Sequence, residues 1–299
     1  MLEIKKFGAI DIGSNAIRLL ISNVIVSEDK EPQFKKSSLV RVPIRLGADA
    51  FVGKGTISEQ NITRMIQAMK AFKLLMNVHG VERYKACATS AMREAKNGKE
   101  VVEKILEKTD VKIDIISGKE EAAIISSTDL NKLIEGDTSY LYVDVGGGST
   151  ELTVFSEGKI INSKSFKMGT VRLLNNKKTV NKEIFSNVEK WIKKNTKGLK
   201  KISLIGSGGN INRLFKMSGR AEGKPISYIY LNAQYQFLKQ MSFDERVSEL
   251  SLNSDRADVI IPATKIYLSA MKWSGARKIY VPKIGLSDGI IKSLFYNKL

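Results

Sequence analysis

The sequence predicts an α/β chain folded into two related lobes. Apolar runs of strand length alternate with runs that carry apolar residues at helical spacing, and this alternation restarts near residue 139. A short segment that follows the first strand at 11–19 also returns after the restart, at 144–152. With 299 residues, the chain is long enough for two domains of ordinary size.

The first half of the chain predicts a lobe with a mixed sheet. A capping box at Thr56-x-x-Glu59 opens a helix with apolar residues such as Ile62 and Met76 at helical spacing, and His79-Gly80 ends it. The other elements predicted here are strands at Phe7–Ile12, Ile17–Val26, 39–46, 83–88 and Val111–Ile116, short helices at 90–108, and a helix at 119–134. Strands interleaved with helices in this order are typical of an α/β lobe.

The second half restarts the pattern with a strand, a tight glycine turn and a returning strand. The predicted elements are strands at Ser139–Val145, Thr150–Phe155, 202–206 and 277–281, the turn Gly146–Gly148, and helices near 181–196, 209–217, 232–241, 254–274 and 287–297.

The repeated hairpin predicts a duplicated domain. In both copies an apolar strand ends in Asp-x-Gly, small polar residues make a turn, and an apolar residue lies eight positions after Asp11 or Asp144. Two facing copies would create a cleft with one loop from each lobe. We place the lobes at 1–119 and 120–286, and we expect the final helix, 287–299, to pack back on the first lobe.

Composition narrows the classes of partner and of metal. The formal net charge of +18 attracts polyanions, although a lysine run such as Lys193–Lys201 is more often a solvated helix face. One cysteine and one histidine exclude a disulfide within the chain and leave too few ligands for zinc, so we expect Cys87 to be a buried thiol. No signal peptide or membrane-length apolar run is present, which predicts a cytoplasmic protein.

The two turns offer consecutive backbone N–H groups, glycines and a hydroxyl directly after a strand. Such turns form concave nests that hold phosphate oxygens. A single loop of this kind would be an ordinary hairpin turn, whereas two copies, each led by an aspartate, favour phosphate binding. The candidate phosphate-binding residues are Gly13, Ser14, Asn15, Gly146, Gly147, Gly148 and Ser149.

Carboxylates beside these loops predict a divalent cation. Asp11, Asp144 and Glu151 would repel a phosphate unless a metal ion bridged them to it. Magnesium is commonly held in this way by one or two carboxylates together with substrate oxygens. The predicted cofactor is therefore Mg²⁺ or another divalent cation.

Motifs along nearly the whole chain resemble those of the Ppx/GppA phosphatase family, within the actin-like ATPase superfamily. They are AIDIGSNAIRLLI at 9–21, ATSAMREAKNG at 88–98, ISGKEEA at 116–122, DVGGGSTEL at 144–152, MGTVRLL at 168–174, IGSGGN at 205–210, DRADVIIPA at 255–263 and IGLSDGII at 284–291. The resemblance implies two actin-like (ribonuclease H-like) lobes around a central cleft.

The resemblance also implies roles for individual residues. A glutamate of ISGKEEA would act as general base on the attacking water, and of Glu120 and Glu121 we prefer Glu121. Arg93 would clamp a phosphate. Gly206, Gly208 and Gly209 match a loop that contacts nucleotide in actin-like relatives, although Asn210 stands where a threonine is expected.

The implied activity is that of an exopolyphosphatase, which hydrolyses terminal phosphate from inorganic polyphosphate by metal-assisted attack of water. Three alternatives stay open: a guanosine pentaphosphate phosphohydrolase, an actin-like small-molecule kinase, and a non-catalytic protein that binds polyphosphate or the alarmone. The expected partner is polyphosphate or guanosine pentaphosphate, without a membrane or nucleic acid, and a homodimer is compatible with this interpretation.

Overall fold

The computed structural model describes residues 2–126, 128 and 138–299. Up to residue 128 the elements are β1 (Glu3–Ile12), β2 (Ile17–Ser27), β3 (Lys30–Val42), α1 (Leu46–Phe51), α2 (Glu59–His79), β4 (Arg83–Ala88), α3 (Ser90–Glu94), α4 (Gly98–Thr109), β5 (Ile113–Ile115) and α5 (Gly118–Ser126).

From residue 138 onward the elements are β6 (Tyr140–Val145), β7 (Thr150–Ser156), β8 (Lys159–Phe166), α6 (Thr170–Asn175), α7 (Lys178–Thr196), β9 (Ser203–Ser207), α8 (Gly209–Met217), β10 (Ile226–Ser227), α9 (Tyr228–Gln240), α10 (Phe243–Ser248), α11 (Ser254–Ala257), α12 (Ile260–Ser274), β11 (Lys278–Tyr280) and α13 (Leu286–Phe295).

The chain divides into two compact units. Unit 1 comprises the described residues up to Thr128 together with Leu286–Leu299, and unit 2 comprises those from 138 to Gly285. The division therefore falls after α5, whereas the sequence placed it after Lys119. The reason is that α5 packs against α13 within unit 1, where Ile124 lies against Gly289.

Unit 1 is built on a sheet with the strand order β3-β2-β1-β4-β5. β1 pairs with β2 in antiparallel fashion, and β1, β4 and β5 run parallel. The helix α13 packs on β1, where the Phe295 ring meets Phe7 edge-on with the ring centroids 6.2 Å apart. A buried cluster that includes Ile10, Met65 and Phe72 forms the core between this sheet and its helices.

Unit 2 repeats the same arrangement. Its sheet has the order β8-β7-β6-β9-β11-β10, with β6, β9 and β11 parallel and β7 antiparallel to both of its neighbours. The first five strands thus reproduce the order and directions of the sheet in unit 1. The predicted α/β class with two related lobes is confirmed, and the duplication inferred from the hairpins extends to the sheets.

Several predicted boundaries change. Ser58, not Thr56, caps α2, because its side chain accepts from the backbone N–H of Asn61. Of the strand expected at 39–46, only residues 39–42 are strand, as the end of the longer β3, and α1 begins at Leu46. The helix expected at 254–274 is two helices, α11 and α12. The helix expected at 119–134 lies partly outside the described residues.

Cys87 is buried, as expected, and Gly80 ends α2 in the left-handed conformation that glycine favours. Among the described residues, no helix combines the length and the apolar character needed to span a bilayer.

Candidate active site

Three candidate segments of unit 1 meet at one edge of its sheet. The carboxyl ends of the parallel strands β1, β4 and β5 lie side by side, which is where ligands bind in open α/β sheets. The backbone N–H of Thr89 donates to Ile12 O (3.1 Å), and that of Ile116 donates to Ala88 O (3.0 Å). The loops that begin at Asp11, Thr89 and Ile116 are therefore held together by main-chain hydrogen bonds.

The first glycine loop is a tight turn anchored by a buried hydroxyl. The backbone N–H of Gly13 donates to Ala16 O at 3.1 Å, and a Cβ at Gly13 would lie 3.2 Å from that oxygen. Ser14 is buried, and its Oγ lies 2.9 Å from the Oγ of Ser90 at the start of α3. The sequence analysis did not select Ser90, although it lies in the ATSAMR motif.

The second glycine loop, in unit 2, has the same internal geometry. The backbone N–H of Gly146 donates to Ser149 O at 3.0 Å, and a Cβ at Gly146 would again lie 3.2 Å from that oxygen. Neither Gly13 nor Gly146 has a positive φ. In both turns a Cβ would make a tight contact with a main-chain oxygen, which favours glycine, and the two hairpins are structural as well as sequence repeats.

Hydrogen bonds from the start of α6 hold the second glycine loop in place. The backbone N–H of Thr170 donates to Gly146 O (3.0 Å), that of Val171 donates to Gly147 O (2.9 Å), and the Nε of Arg172 donates to Gly148 O (2.9 Å). The carbonyl groups of the loop thus face α6. The sequence alone did not predict α6 or the role of Arg172, because six residues give too short a periodic signal.

Asp11 is buried at the end of β1, with 6% of its surface exposed. The Nη1 of Arg18, its cross-strand neighbour on β2, donates to Asp11 Oδ2 at 3.0 Å. Burial raises the pKa of Asp11, and the charge of Arg18 opposes that rise. A carboxylate held at this position is costly without a cation, and Arg18 supplies one that the sequence analysis did not single out.

The two neighbouring glutamates of α5 have different environments. Glu120 is exposed and forms a reciprocal pair with Ser117: its Oε2 accepts from the Ser117 N–H at 2.7 Å, and its own N–H donates to Ser117 Oγ at 3.2 Å. The Ser117 backbone N–H, and then its hydroxyl, lower the pKa of Glu120. Glu121 is buried, with 9% exposed.

Cys87 is buried near the end of β4, in the neighbourhood of several charged side chains. Burial raises the pKa of the Cys87 thiol to about 12, and among the nearby charges Asp11 and Glu121 add to the rise. Cys87 is the register partner of Asp11 on the adjacent parallel strand. The backbone N–H of Ile116, two residues before α5, donates to Ala88 O at the end of β4, so the start of α5 lies at the sheet edge that carries the first glycine loop.

Arg93 connects α3 with the turn that precedes α5. Its Nη1 donates to Ile116 O at 2.6 Å, and the side chain is half-buried. The same turn holds Ser117 and begins α5. Arg93 is thus positioned in unit 1 next to the segment that carries both candidate bases.

Asp144 and Glu151 form the carboxylate pair of unit 2. They are register partners on the antiparallel strands β6 and β7, so their side chains lie on the same face of the sheet. Glu151 is buried and accepts from Ser165 Oγ at 2.9 Å. Within the described part of the chain, no three or more Asp, Glu, His or Cys side chains are grouped to hold a metal ion.

The third glycine segment divides into a packing part and a loop part. Gly206 was expected in a ligand loop, but it lies within β9. A Cβ there would come within 2.7 Å of the Ile279 side chain, so Gly206 is a core residue. Gly208 has a φ of 115°, and a Cβ there would lie 2.9 Å from Val145 O. Gly209 begins α8, followed by the buried Asn210.

Comparison with known proteins now decides the family. The sequence profile described as the Ppx/GppA phosphatase family matches residues 25–298. The chain belongs to the Ppx/GppA phosphatase family. A crystal structure of the Aquifex aeolicus member of the Ppx/GppA family superimposes with a TM-score of 0.78 at 25% identity, covering 99% of each chain.

Two curated relatives of this Ppx/GppA chain are longer than it is. A bifunctional 3-dehydroquinate synthase/phosphatase of Fusobacterium nucleatum is 30% identical over 301 residues, which cover 91% of this chain and 44% of that protein. Exopolyphosphatase 2 of Mycobacterium tuberculosis is 29% identical over 180 residues, which cover 58% of this chain and 54% of that protein. The chain spans about half the length of these relatives.

Proposed function

We propose that this Ppx/GppA chain is an exopolyphosphatase, a phosphoric anhydride hydrolase that releases terminal phosphate from inorganic polyphosphate. The observation that carries the proposal is the pair of glycine loops with matching geometry, each placed after a strand that ends in an aspartate. Such loops suit phosphoryl groups, whose transfer depends on positioning and charge neutralisation more than on covalent chemistry.

Glu121 is the proposed general base. It is buried, whereas the carboxylate of Glu120 is engaged with the backbone of Ser117 at the helix start. In the proposed reaction Glu121 accepts a proton from water while the water oxygen bonds to the terminal phosphorus. The bridging P–O bond breaks, and the shortened polyphosphate leaves with the electron pair of that bond.

Ser14, Asn15 and Arg93 are the proposed phosphate contacts in unit 1, and the loop from Gly146 to Ser149 is the proposed contact in unit 2. Arginine suits this role because its planar fork presents several N–H donors to phosphate oxygens. The hydroxyl of Ser14 is held in place by Ser90, so it is already oriented before any phosphate binds.

The carboxylates of unit 2 fit a magnesium ion that shares its coordination with the substrate. Asp144 and Glu151 give two oxygen donors on one sheet face, and magnesium is commonly bound by one or two carboxylates plus phosphate oxygens and water. Asp11 is proposed as a further acidic ligand. When bound, the ion would neutralise negative charge on the phosphate oxygens.

We propose polyphosphate rather than guanosine pentaphosphate as the substrate, because the formal net charge of +18 favours a long polyanion. The Mycobacterium tuberculosis relative, named exopolyphosphatase 2, supports the same choice. Guanosine pentaphosphate is the second candidate substrate, and family membership is compatible with both.

The test is phosphate release from long-chain polyphosphate, tripolyphosphate and guanosine pentaphosphate, measured in parallel with magnesium and again with excess chelator. We expect release from polyphosphate that needs the metal and is lost in Glu121→Gln. Faster phosphate release from guanosine pentaphosphate than from polyphosphate would show that guanosine pentaphosphate is the substrate. ATP consumption that requires a small hydroxyl compound would instead indicate a kinase, and binding without release would indicate a non-catalytic protein.

A further inference from the structure

The positive charge of the chain is concentrated in one segment of unit 2. Residues 157–201 contain 13 of the 49 lysines and arginines but only 3 of the 31 aspartates and glutamates. This segment therefore carries a net +10 of the +18 total. All twelve of its lysines are exposed, so this charge faces solvent and not the core.

The first helix of this basic segment, α6, contacts the second glycine loop. Arg172, on α6, donates to Gly148 O. At 1.5 Å per residue, α6 is about 9 Å long. Asn176, in an extended conformation, ends α6, and Lys177 and Lys178 come next along the chain, at the start of α7.

The helix α7 continues the charge along one face. At about 100° per residue, its five lysines fall within one half of the helical wheel, and its two glutamates lie in the same half, which leaves that half a net charge of +3. The lysines are Lys178, Lys182, Lys190, Lys193 and Lys194. The other half holds the buried Val188 and Ile192, together with Trp191, which packs against Phe166. The 19 residues of α7 give this lysine face a length of about 28 Å.

With Arg172 and Lys177, the lysines and glutamates of α7 carry a net charge of +5. A basic face that starts at a phosphate loop and extends along a helix matches a linear polyanion with one end in that loop. We propose that the face formed by Arg172, Lys177 and the lysines of α7, here called the α7 track, binds the distal part of a long polyphosphate chain.

This inference rests on the proposed function for the identity of the polyanion. Its physical basis is separate, because each lysine that neutralises a phosphate releases counterions and makes binding depend on salt. Tripolyphosphate is too short to extend from the loop along α7, so the α7 track predicts a chain-length effect that the loop alone does not.

The experiment compares two variants with equal loss of charge, both in a Glu121→Gln background that slows turnover. The track variant changes Lys178, Lys182, Lys190 and Lys194 to Gln, which leaves Lys193 paired with Glu189. The control variant changes four other exposed lysines of unit 2, Lys216, Lys224, Lys239 and Lys272, to Gln. A third variant replaces the four track lysines with arginine, which retains the charge.

Dissociation constants are measured for long-chain polyphosphate and for tripolyphosphate between about 50 and 200 mM salt. We expect the track variant to bind long chains at least about tenfold more weakly at the low salt. By analogy with single-stranded nucleic acids, we expect the slope of log Kd against log salt to fall by about three. Tripolyphosphate binding should be unchanged, and the control and arginine variants should bind long chains within about twofold of the parent.

Equal weakening in the track and control variants would overturn the proposal, because net charge alone would then explain binding. Equal weakening for tripolyphosphate would also overturn it. So would equally tight, track-dependent binding of single-stranded DNA, which would make the face a nucleic-acid surface. If the track effect appears but the parent chain with Glu121 intact releases no phosphate, the α7 track stands and the proposed hydrolase activity fails.

Discussion

The adjacent glutamates of α5, Glu120 and Glu121, differ in their environments. The side chain of Glu120 accepts a hydrogen bond from the backbone at the helix start, whereas Glu121 is buried. A sequence motif with two adjacent glutamates cannot distinguish these environments, because a glutamate suits either position near a helix N-terminus. The packing of α5 makes the distinction.

We expect Glu121→Gln to lower the turnover number by about 10²–10⁴-fold while substrate binding is preserved, because the change removes a base and keeps the shape. Glu120→Gln is the matched control, which should retain turnover and lose some thermal stability through the weaker cap. Phosphate release and polyphosphate binding measure the two effects. A fully active Glu121→Gln variant would remove Glu121 from the mechanism.

Asp144→Asn should raise the magnesium concentration needed for half-maximal phosphate release and lower the maximal rate. The physical reason is the loss of one of two paired carboxylates that favour a divalent cation. Asp29→Asn, in the exposed turn between β2 and β3, removes the same charge and should leave the magnesium titration unchanged. Identical titrations for both variants would exclude Asp144 as a metal ligand.

Cys87 should be unreactive in the folded protein. With its pKa raised to about 12 by burial and by nearby carboxylates, the thiolate fraction at pH 8 is on the order of 10⁻⁴. A colorimetric thiol reagent should therefore label the native chain slowly and label one thiol per chain promptly in denaturant. Prompt labelling of the native chain would show that the end of β4 is open to solvent.

At the scale of elements, close helix packing holds α5 in position. A Cβ at Gly289 on α13 would lie 2.3 Å from Ile124 O on α5. Main-chain atoms cannot move away as a flexible side chain can, so an added methyl group must displace one helix. Since α5 carries Glu121, packing far from the loops along the sequence contributes to the position of the proposed base.

Gly289→Ala should destabilise the protein by about 1–3 kcal/mol through overpacking, even though alanine favours a helix by about 1 kcal/mol over glycine. Phosphate release should fall as well, because α5 moves. Gly285→Ala is the control, since its nearest contact for a Cβ is an ordinary 3.8 Å to Ser207 Oγ. Unfolding midpoints that rise in Gly289→Ala would contradict the close packing.

Sequence patterns predicted the buried elements better than the exposed ones. β1, β6 and α2 carry clear apolar periodicity and were found close to their expected bounds. The edge strand β8 was missed because all but the last of its residues are exposed, so no alternation of apolar and polar residues marks it. In the site, the glycine loops were visible as repeats, but Ser90 and Arg172 depend on contacts between distant segments, which periodicity does not report.

For the whole molecule, we expect added potassium chloride to raise the KM for long-chain polyphosphate steeply and that for tripolyphosphate much less. Screening acts over about 8 Å at physiological salt, so only lysines close to the bound chain contribute, and a short substrate meets few of them. Initial rates at several salt concentrations measure both constants. Equal salt sensitivity would favour short phosphates or guanosine pentaphosphate as the substrate.

The packing of α13 on β1 has a consequence for how the protein is made. Unit 2 is one continuous stretch between the two parts of unit 1, so all of its strands have been synthesised before the ribosome reaches α13. Domains generally fold as units during synthesis. The sheet of unit 1 is therefore translated before α13, the helix that covers it. When β1 leaves the ribosome, Phe295 has not yet been synthesised and cannot cover Phe7.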